Sequence, residues 1–598
     1  MFDPRIYRTG LVVVALAALV LAFSFDNQQG ALSSRLAPDA FNGNNVYASM
    51  MKLAEQYPNR SPGTSGDDDV ANAVFRKLTQ FGFAPSTDTF SARTPSGERT
   101  LENVVGVRPG MQSGSVVIVA HRDGSGSSSK AALSGTEAAL SGTATLIELA
   151  RDLEGETLHR TVVLASTSGS QGTAGAIRLA QKLGGPIDAV IVLGDLASSH
   201  VRQPIVVPWA QGQQVAPSML RNTIAAALNQ QAGLHSGGTS LFGQFAHLAF
   251  PLTLTEQGPF GARGIPAVLL SLSGERGPAA DAAISSADTL TSVGQAVLSA
   301  VSALNGGQTV PAASPYVLFD NKVVPGWAIS VFVLALVIPV LLTTIDGFAR
   351  ALRRGYRVWR WVLVVLLAAV PFALGVLVIL GARLVGTLAV APPGPVGPEV
   401  VPIHTSGVVV MVIAAAVALL SALALAPMAV RFAAGSGRSR DLEGSVGGAT
   451  AAVLLVMCAV TIAIWLHDPF AAALVVPALH LWLLALNGDV RMPLAARLLL
   501  MLLGLVPIAA VVVYYGATLG FGPLAIAWAA VLLIAGHVVT PLQVLPWTVV
   551  LGCVLTAGGI VVALARQPRP EEMPVTVRGP ITYAGPGSLG GTKSALRR

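Results

Sequence analysis

Apolar residues are arranged as long runs at both ends of the chain. One run lies near the N-terminus, from about Leu11 to Phe25, and long apolar segments recur from Pro325 onward. Each approaches the roughly 20 residues that a helix needs to cross a membrane. The pattern predicts an N-terminal transmembrane anchor and a C-terminal all-α multi-span bundle of about seven or eight helices. The C-terminal segments are Trp327–Ile345, Trp361–Leu384, Gly407–Ala426, Val446–Leu466, Phe470–Leu486, Leu498–Tyr515, Pro523–Val539 and Val544–Ala565.

Between these apolar regions, short β-rich runs alternate with helical patterns. The runs begin at Val116, Thr161 and Ala189, and amphipathic stretches follow the first two. Alternation at this spacing predicts an α/β domain with a mostly parallel central sheet flanked by helices. Ligands of such sheets bind at the carboxyl ends of the strands. Those ends carry His121–Asp123, Ser168–Gln171 and Gly194–Asp195.

Basic residues next to the apolar segments predict the orientation. Arg5 and Arg8 precede the first segment, and a cluster of arginines follows Trp327–Ile345. Since cytoplasmic loops are rich in Lys and Arg, the N-terminus is expected in the cytoplasm. A cleaved signal peptide is the alternative reading of the first segment. We therefore expect an anchor at 1–25, an extracytoplasmic domain at 26–323, a plasma-membrane bundle at 324–566 and a polar, disordered tail at 567–598.

The number of segments conflicts with this rule at the C-terminus. Eight segments after the anchor would place the arginine-bearing tail outside, where basic residues are disfavoured. One weak segment is therefore expected to be re-entrant. The two short segments, Phe470–Leu486 and Pro523–Val539, are the candidates.

The composition excludes an ordinary soluble enzyme. Of 598 residues, 53% are hydrophobic and 12% are charged, whereas a soluble domain has about 25% charged residues. Only about 18 charged residues lie between 324 and 566, so the rest of the chain has near-normal polarity. A net charge of +7 over this length does not indicate nucleic-acid binding. The excess of Arg over Lys, with much Ala, Gly and Val, is typical of a GC-rich bacterial genome.

Several short motifs in the α/β region occur in a recognisable order. They begin at Asn103 (Asn-Val-Val-Gly-Val-Arg-Pro-Gly), Val119 (Val-Ala-His-Arg-Asp), Gly135 (Gly-Thr-Glu-Ala-Ala-Leu-Ser-Gly), Gly264 (Gly-Ile-Pro-Ala) and Ser286 (Ser-Ala-Asp-Thr-Leu). Together, over about Tyr47 to Leu304, they resemble the M28 family of zinc aminopeptidases. The resemblance implies an M28-like α/β fold and a site at the strand ends.

Active M28 members hold two zinc ions with five protein ligands and use a glutamate as general base. Carried over by position, the resemblance assigns the first zinc-binding His to His121, the bridging Asp to Glu137 and the strand Asp to Asp195. The Glu-Glu pair, which contains the general base, falls on Ser170 and Gln171. The last His falls on Gln257, in the segment Thr255-Glu256-Gln257.

These departures predict a degenerate site. Ser170 cannot act as a general base at neutral pH without an activating partner, and Gln171 and Gln257 are neutral amides. We therefore expect no catalytic residue and no cofactor. His121, Glu137 and Asp195 are predicted to be a vestigial set that could hold a single weakly bound cation. A true zinc aminopeptidase remains open if His200, His235 or His247 takes the missing places.

The apolar segments contain one ionisable residue that stands out. His480 lies in the middle of Phe470–Leu486, and ionisable residues inside a membrane are costly and often functional. A transporter or lipid-handling protein, in which the bundle acts and the outer domain gates it, is therefore a further alternative.

The arrangement as a whole suggests a role without hydrolysis. An anchor, an outer M28-like domain with lost ligands and a multi-span bundle resemble the GPI anchor attachment protein, a subunit of the GPI transamidase. The resemblance implies a scaffold or substrate-presenting subunit, here in bacterial cell-envelope assembly. The expected partners are the lipid bilayer, another membrane or envelope protein, and a peptide or glycolipid ligand, with no nucleic acid.

Overall fold

The computed structural model describes residues 3–34, 38–124, 137–278, 283–388, 391–434, 441–490 and 492–566. The tail predicted at 567–598 and the motif residues Gly135 and Thr136 lie outside these ranges. The helices are α1 (Pro4–Phe23), α2 (Gly43–Gln56), α3 (Ser65–Gln80), α4 (Ser141–Asp152), α5 (Ala174–Lys182), α6 (Ser218–Ala232), α7 (Leu241–Ala249), α8 (Gln257–Ala262), α9 (Ala287–Gly306), α10 (Gly326–Arg353), α11 (Val358–Leu384), α12 (Thr405–Ala434), α13 (Asp441–His467), α14 (Pro469–Ala485), α15 (Leu494–Leu519), α16 (Pro523–Ala535) and α17 (Pro541–Arg566). The strands are β1 (Asp26–Asn27), β2 (Ala84–Thr94), β3 (Gly97–Arg108), β4 (Ser115–His121), β5 (Thr161–Thr167), β6 (Ile187–Leu193), β7 (Val206–Val207), β8 (Ala267–Leu270), β9 (Tyr316–Phe319) and β10 (Lys322–Pro325).

The α/β domain is built on a seven-stranded mixed sheet with the strand order β2-β3-β5-β4-β6-β8-β7. The four strands β5, β4, β6 and β8 are parallel, and the outer pairings are antiparallel. The predicted α/β class and the separate helical bundle are confirmed, with the parallel arrangement limited to these four strands. The runs of β-branched residues in β4, β5 and β6 fit strands that are buried on both faces.

Each face of the sheet has its own hydrophobic core. Successive residues of a strand point to opposite faces, so Val116 and Ile118 join the core formed with α2, α3, α4, α6 and α9. Val117 and Val119 join a second core that contains residues of α5 and α7. This second core also contains Phe470 of α14 and residues of α15. The α/β domain therefore shares this core with the apolar bundle, and α7 contacts α14 and α15 directly.

Two short connections tie the α/β domain to the bundle. β1, which follows α1, pairs with β10, which precedes α10, and β9 completes a three-stranded sheet. At the far end of the bundle, Arg350 of α10 forms an ion pair with Asp3 at the start of α1, at 3.2 Å. Helix α1 is thus held against α10 at both of its ends.

Seven described helices are long and apolar enough to cross a membrane: α1, α10, α11, α12, α13, α15 and α17. Helices α14 and α16 are apolar but shorter, with 17 and 13 residues. These two correspond to the short segments singled out in the sequence.

Helix α16 begins and ends at the same end of the bundle. Gly520, just before it, packs against Arg276 of the α/β domain, and Gly536, just after it, packs against Pro392. Pro392 in turn contacts Gly172 of the α/β domain. Near the other end of α17, Leu564 contacts Gly488, which follows α14. Among the described helices, α16 is therefore the one that returns, and α17 runs to the end opposite the α/β domain.

The contact between α1 and α10 generates a first prediction. A Cβ atom on Gly10 would lie 2.5 Å from the Cα atom of Pro339, a backbone atom that cannot turn away. We expect Gly10→Ala to separate the two helices and to lower the stability in detergent by about 1–3 kcal/mol, the usual cost of overpacking. Thermal unfolding followed by intrinsic fluorescence measures the change.

Gly381→Ala is the matched control, because a Cβ atom on this helical residue would meet no heavy atom within 4 Å. It has the same gain in helix propensity and should not lower the unfolding midpoint. Equal midpoints for the two variants would contradict the close packing of α1 on α10.

Candidate functional site

The carboxyl ends of β4, β5 and β6 bring most of the predicted site residues to one edge of the sheet. His121 ends β4 and lies opposite Thr167, which ends β5. Asp195 follows β6 by two residues. Because these strands are parallel and adjacent, the side chains that follow them lie at the same edge.

His121 is paired with Glu256, a carboxylate that the M28 resemblance does not match to a zinc ligand. Its Nδ1 atom lies 3.5 Å from Oε2 of Glu256, and the two side chains are 20% and 3% exposed. Oε1 of Glu256 accepts a hydrogen bond of 2.8 Å from the Thr167 hydroxyl. Glu256 therefore bridges the last residues of β4 and β5.

The charge of Glu256 controls the protonation of His121. Burial alone lowers the pKa of an imidazole. The hydrogen bond and charge of Glu256, together with the charges of Asp123 and Asp195, outweigh burial and raise the pKa of His121 above its usual value. His121 is thus stabilised as a cation.

Ser170 is a hydrogen-bond donor to Asp123. Its backbone N–H lies 3.1 Å from both carboxylate oxygens, and its hydroxyl donates over 2.9 Å. Burial raises the pKa of Asp123 to about 6, while the cationic His121 counteracts part of this rise. The general-base position is thus occupied by a hydroxyl group, and this hydroxyl donates a hydrogen bond to the Asp123 carboxylate.

Asp195 caps a turn. Its Oδ1 atom accepts the backbone N–H groups of Ala197 and Ser198, both at 2.9 Å. The other oxygen is buried and has no hydrogen-bond partner among the described residues. Burial raises the pKa of Asp195, and the hydrogen bond from the Ala197 N–H is the largest of the contributions that lower it.

The remaining predicted site residues are directed elsewhere. Glu137 is half-buried, and its charge interacts with Arg60. Gln171 is exposed. Gln257 is fully buried, and its amide group donates to the Trp209 carbonyl at 3.2 Å and to the Thr253 hydroxyl at 3.1 Å. Gln257 therefore connects α8 to the neighbouring loops.

The alternative histidines do not join the site. His200 and His235 are exposed. His247 is stacked on Trp209, with ring centroids 4.6 Å apart, and the Tyr515 hydroxyl lies 3.2 Å from its Nδ1 atom. Burial lowers the pKa of His247 to about 3, so the ring is neutral. His247 thus belongs to the contact between the α/β domain and α15.

A buried ion pair supports the loops behind the site. Arg122 is fully buried, and its Nε atom lies 2.9 Å from Oδ1 of Asp67. The same guanidinium donates to the carbonyls of Ser166 and Glu102. Arg122 lies in the His-Arg-Asp motif and Asp67 begins a run of three aspartates, but no local pattern in the sequence indicates that they pair.

The donor set does not fit the zinc centre that the M28 resemblance implies. In the described part of the chain, no group of three or more His, Cys, Asp or Glu side chains is arranged to hold a metal ion. His121 faces Glu256, Ser170 donates to Asp123, and Gln257 offers an amide. Binding of a weak cation by His121, Glu137 and Asp195 stays a prediction.

A loop of the bundle covers one side of the site. In this loop, which joins α11 to α12, Gly394 packs against the Gly172 carbonyl and the Thr173 side chain. Val396 also contacts Gly172, two residues after Ser170. A side chain on Gly394 would overlap the Gly172 carbonyl, so this close approach depends on glycine.

His480 joins three helices of the bundle. Its Nε2 atom lies 3.0 Å from the Leu336 carbonyl of α10, and its Nδ1 atom lies 2.8 Å from the Tyr7 hydroxyl of α1. Since a carbonyl can only accept, Nε2 carries the hydrogen, and Nδ1 of a neutral ring accepts from Tyr7. Both nitrogens therefore have protein partners.

Comparison with known proteins gives similarities in structure. No family model matches the chain, and no curated protein matches it. A glutaminyl cyclase from an Acidobacteriales bacterium is similar with 18% identity and a TM-score of 0.36, over 47% of this chain and 99% of that chain. A zinc aminopeptidase from Bacillus subtilis has 11% identity and a TM-score of 0.34, over 44% of this chain and 94% of that chain.

An aminopeptidase from Aneurinibacillus sp. strain AM-1 has 12% identity and a TM-score of 0.36, over 47% of this chain and 97% of that chain. Similarities at this level say nothing about the activity, substrate or metal content of this chain.

The His121–Glu256 pair generates a prediction on pH dependence. A group whose pKa is raised in the folded state stabilises the fold below its unfolded pKa of about 6.5, and this contribution is lost as the pH rises through the folded value. Glu256→Gln keeps an acceptor for Thr167 but removes the charge, so the fall in stability above pH 6.5 should become smaller. Unfolding midpoints in detergent between about pH 6.5 and 9 measure this fall in stability for the variant and for the unchanged chain.

Glu55→Gln removes an exposed carboxylate on α2 and serves as the control. Its stability should depend on pH in the same way as that of the unchanged chain. If Glu256→Gln and Glu55→Gln gave parallel pH curves, the charge pairing with His121 would be wrong.

Proposed function

We propose that this protein is a membrane-anchored, non-catalytic peptidase-like protein that acts as a scaffold or substrate-presenting subunit in bacterial cell-envelope assembly. The observation that carries the proposal is that the residues at the predicted catalytic and zinc-binding positions are engaged by neighbouring carboxylates. Ser170 donates to Asp123, and His121 is paired with Glu256. A serine hydroxyl is too weakly basic at neutral pH to replace the glutamate that serves as general base in active M28 members.

The contact between the α/β domain and the bundle supports a presenting role. The edge of the sheet that carries His121 and Ser170 lies beside the loop that joins α11 to α12. A peptide or glycolipid held there would be next to the membrane, where a partner protein could act on it. The resemblance to the GPI anchor attachment protein supports the same role, without its substrate.

The distribution of charge supports an extracytoplasmic α/β domain. Arg350 and Arg353 lie at the end of α10 that is remote from this domain, where Asp3 also lies. Under the positive-inside rule this end faces the cytoplasm. Because α16 returns to the end from which it starts, α17 ends on the proposed cytoplasmic side, at Arg566. Counting α16 as re-entrant is therefore consistent with the proposed orientation.

Complementation of a deletion strain tests the absence of catalysis. A His121→Gln, Ser170→Ala double variant should restore the envelope composition as fully as the unchanged chain, because neither side chain performs chemistry. Membranes must contain equal amounts of both proteins. Loss of complementation at equal amounts, together with peptidase turnover by the purified unchanged chain, would establish the zinc aminopeptidase alternative instead.

Photo-crosslinking tests the presenting role. A photoreactive amino acid at the exposed position Gln171 should capture an envelope protein, peptide or glycolipid in intact cells. The same amino acid at Arg76, exposed on α3, is the matched control and should capture none of these molecules. Identical products from both positions, or none from Gln171, would contradict the proposed role.

A further inference from the structure

A cavity of about 420 Å³ lies where the β2–β3 hairpin and α5 meet the bundle. Its lining includes three arginines from three different elements: Arg93 of β2, Arg178 of α5 and Arg383 of α11. Glu98 is the only carboxylate among the described lining residues. The three arginines are far apart in sequence, so the fold itself brings the positive charges together.

Arg178 is neutralised by a partner outside the lining. Its Nε and Nη2 atoms form a two-pronged ion pair with Asp88, at 2.7 and 2.9 Å. Its guanidinium group also lies over the ring of Phe90, with the Cζ atom 5.7 Å from the ring centroid. Arg178 is therefore held rigidly by groups of the α/β domain, and it forms a fixed wall of the cavity.

Arg93 and Arg383 have no such carboxylate partner. In the described ranges, neither forms an ion pair within 4.0 Å, although Glu98 lies opposite Arg93 in the strand register. Arg383 donates to the Ala535 carbonyl at the end of α16, a neutral group. Arg93 and Arg383 line the same cavity, so both positive charges lie at its wall. Two unneutralised guanidinium groups facing one cavity favour an anion between them.

The surroundings of Arg383 indicate where this anion comes from. The next two residues, Leu384 and Val385, are 88% and 81% exposed. On the same helix, Leu377 is also exposed. Apolar side chains this exposed at the end of a membrane-length helix fit contact with lipid chains, while the arginine beside them lies at headgroup level.

We propose that this cavity binds the phosphodiester headgroup of an anionic membrane lipid, with Arg93 and Arg383 as its ligands and the acyl chains lying along α11. The headgroup oxygens accept hydrogen bonds from both guanidinium groups, and Ser91 and Gln181 line the same cavity as further polar groups. Pro393 of the loop that covers Gly172 lines it as well. A bound lipid would thus contact the loop that covers the candidate site. This inference does not depend on the absence of catalysis.

Native mass spectrometry of the full chain in detergent tests the lipid site. Phosphatidylglycerol should be retained more tightly than phosphatidylcholine, because its phosphodiester charge is not neutralised by a cationic choline group. An Arg93→Gln, Arg383→Gln double variant should lose this preference, by roughly fivefold for each arginine. An Arg76→Gln, Arg263→Gln double variant, which removes the same charge from exposed positions remote from the cavity lining, should retain it.

Arg93→Gln alone keeps the test valid if the loss of Arg383 disturbs the bundle, since Arg93 is an exposed strand residue. It should lower the preference by roughly fivefold with an unchanged unfolding midpoint. Equal retention of the two lipids by the unchanged chain, or an unchanged preference in Arg93→Gln, would overturn the proposal.

Glycerol phosphate in the aqueous phase distinguishes a lipid headgroup from a soluble phosphate compound. Failure to displace phosphatidylglycerol at equal concentration supports the lipid site. Displacement at equal concentration would show that the cavity recognises a soluble phosphate, and would overturn the lipid assignment.

Discussion

One face of the seven-stranded sheet shares its hydrophobic core with helices of the apolar bundle, and the position of the candidate site depends on this shared core. Val117 and Val119 of β4 lie in the same cluster as Phe470 of α14 and Leu519 of α15. Burying a large apolar side chain contributes about 1.5–3 kcal/mol. Separating the two parts would expose several such side chains. The sheet edge that carries His121 is consequently fixed beside the bundle, with the loop after α11 packed on Gly172.

Within that frame, the site is a set of polar groups that satisfy one another. Charges in a weakly polar interior must be paired or neutralised. The cationic form of His121 is compensated by Glu256, and the acid at Asp123 is raised in pKa by burial while Ser170 donates to it. A metal ion or a substrate proton would have to displace these existing interactions. In the same region, Asp195 caps a turn and Gln257 connects α8 to the neighbouring loops.

The sequence predicted the features that depend on local periodicity. The β-branched runs located β4, β5 and β6, and the parallel arrangement placed His121 and Asp195 at one edge. The role of Glu256 could not be predicted, because motif alignment assigned its neighbour Gln257 to the site. Glu256 is the N-cap residue of α8 and Gln257 is its first residue, so the two side chains point in different directions.

Contacts between residues that are distant along the chain could not be predicted from the sequence either. The return of α16 depends on Gly520 meeting Arg276 and Gly536 meeting Pro392, and no local pattern shows either contact. The pairing of Arg122 with Asp67 and the approach of Arg93 to Arg383 are of the same kind. Hydrophobic segments reveal that helices exist, whereas their ends and partners are set by packing.

The zinc content of the full chain, purified in detergent without chelators and measured by elemental mass spectrometry, tests the central claim most directly. The account predicts only trace zinc, because Ser170, Gln171 and Gln257 stand where anionic and imidazole ligands would be needed. Stoichiometric zinc that is lost on mutation of His121 and Asp195, with accompanying aminopeptidase activity, would contradict it.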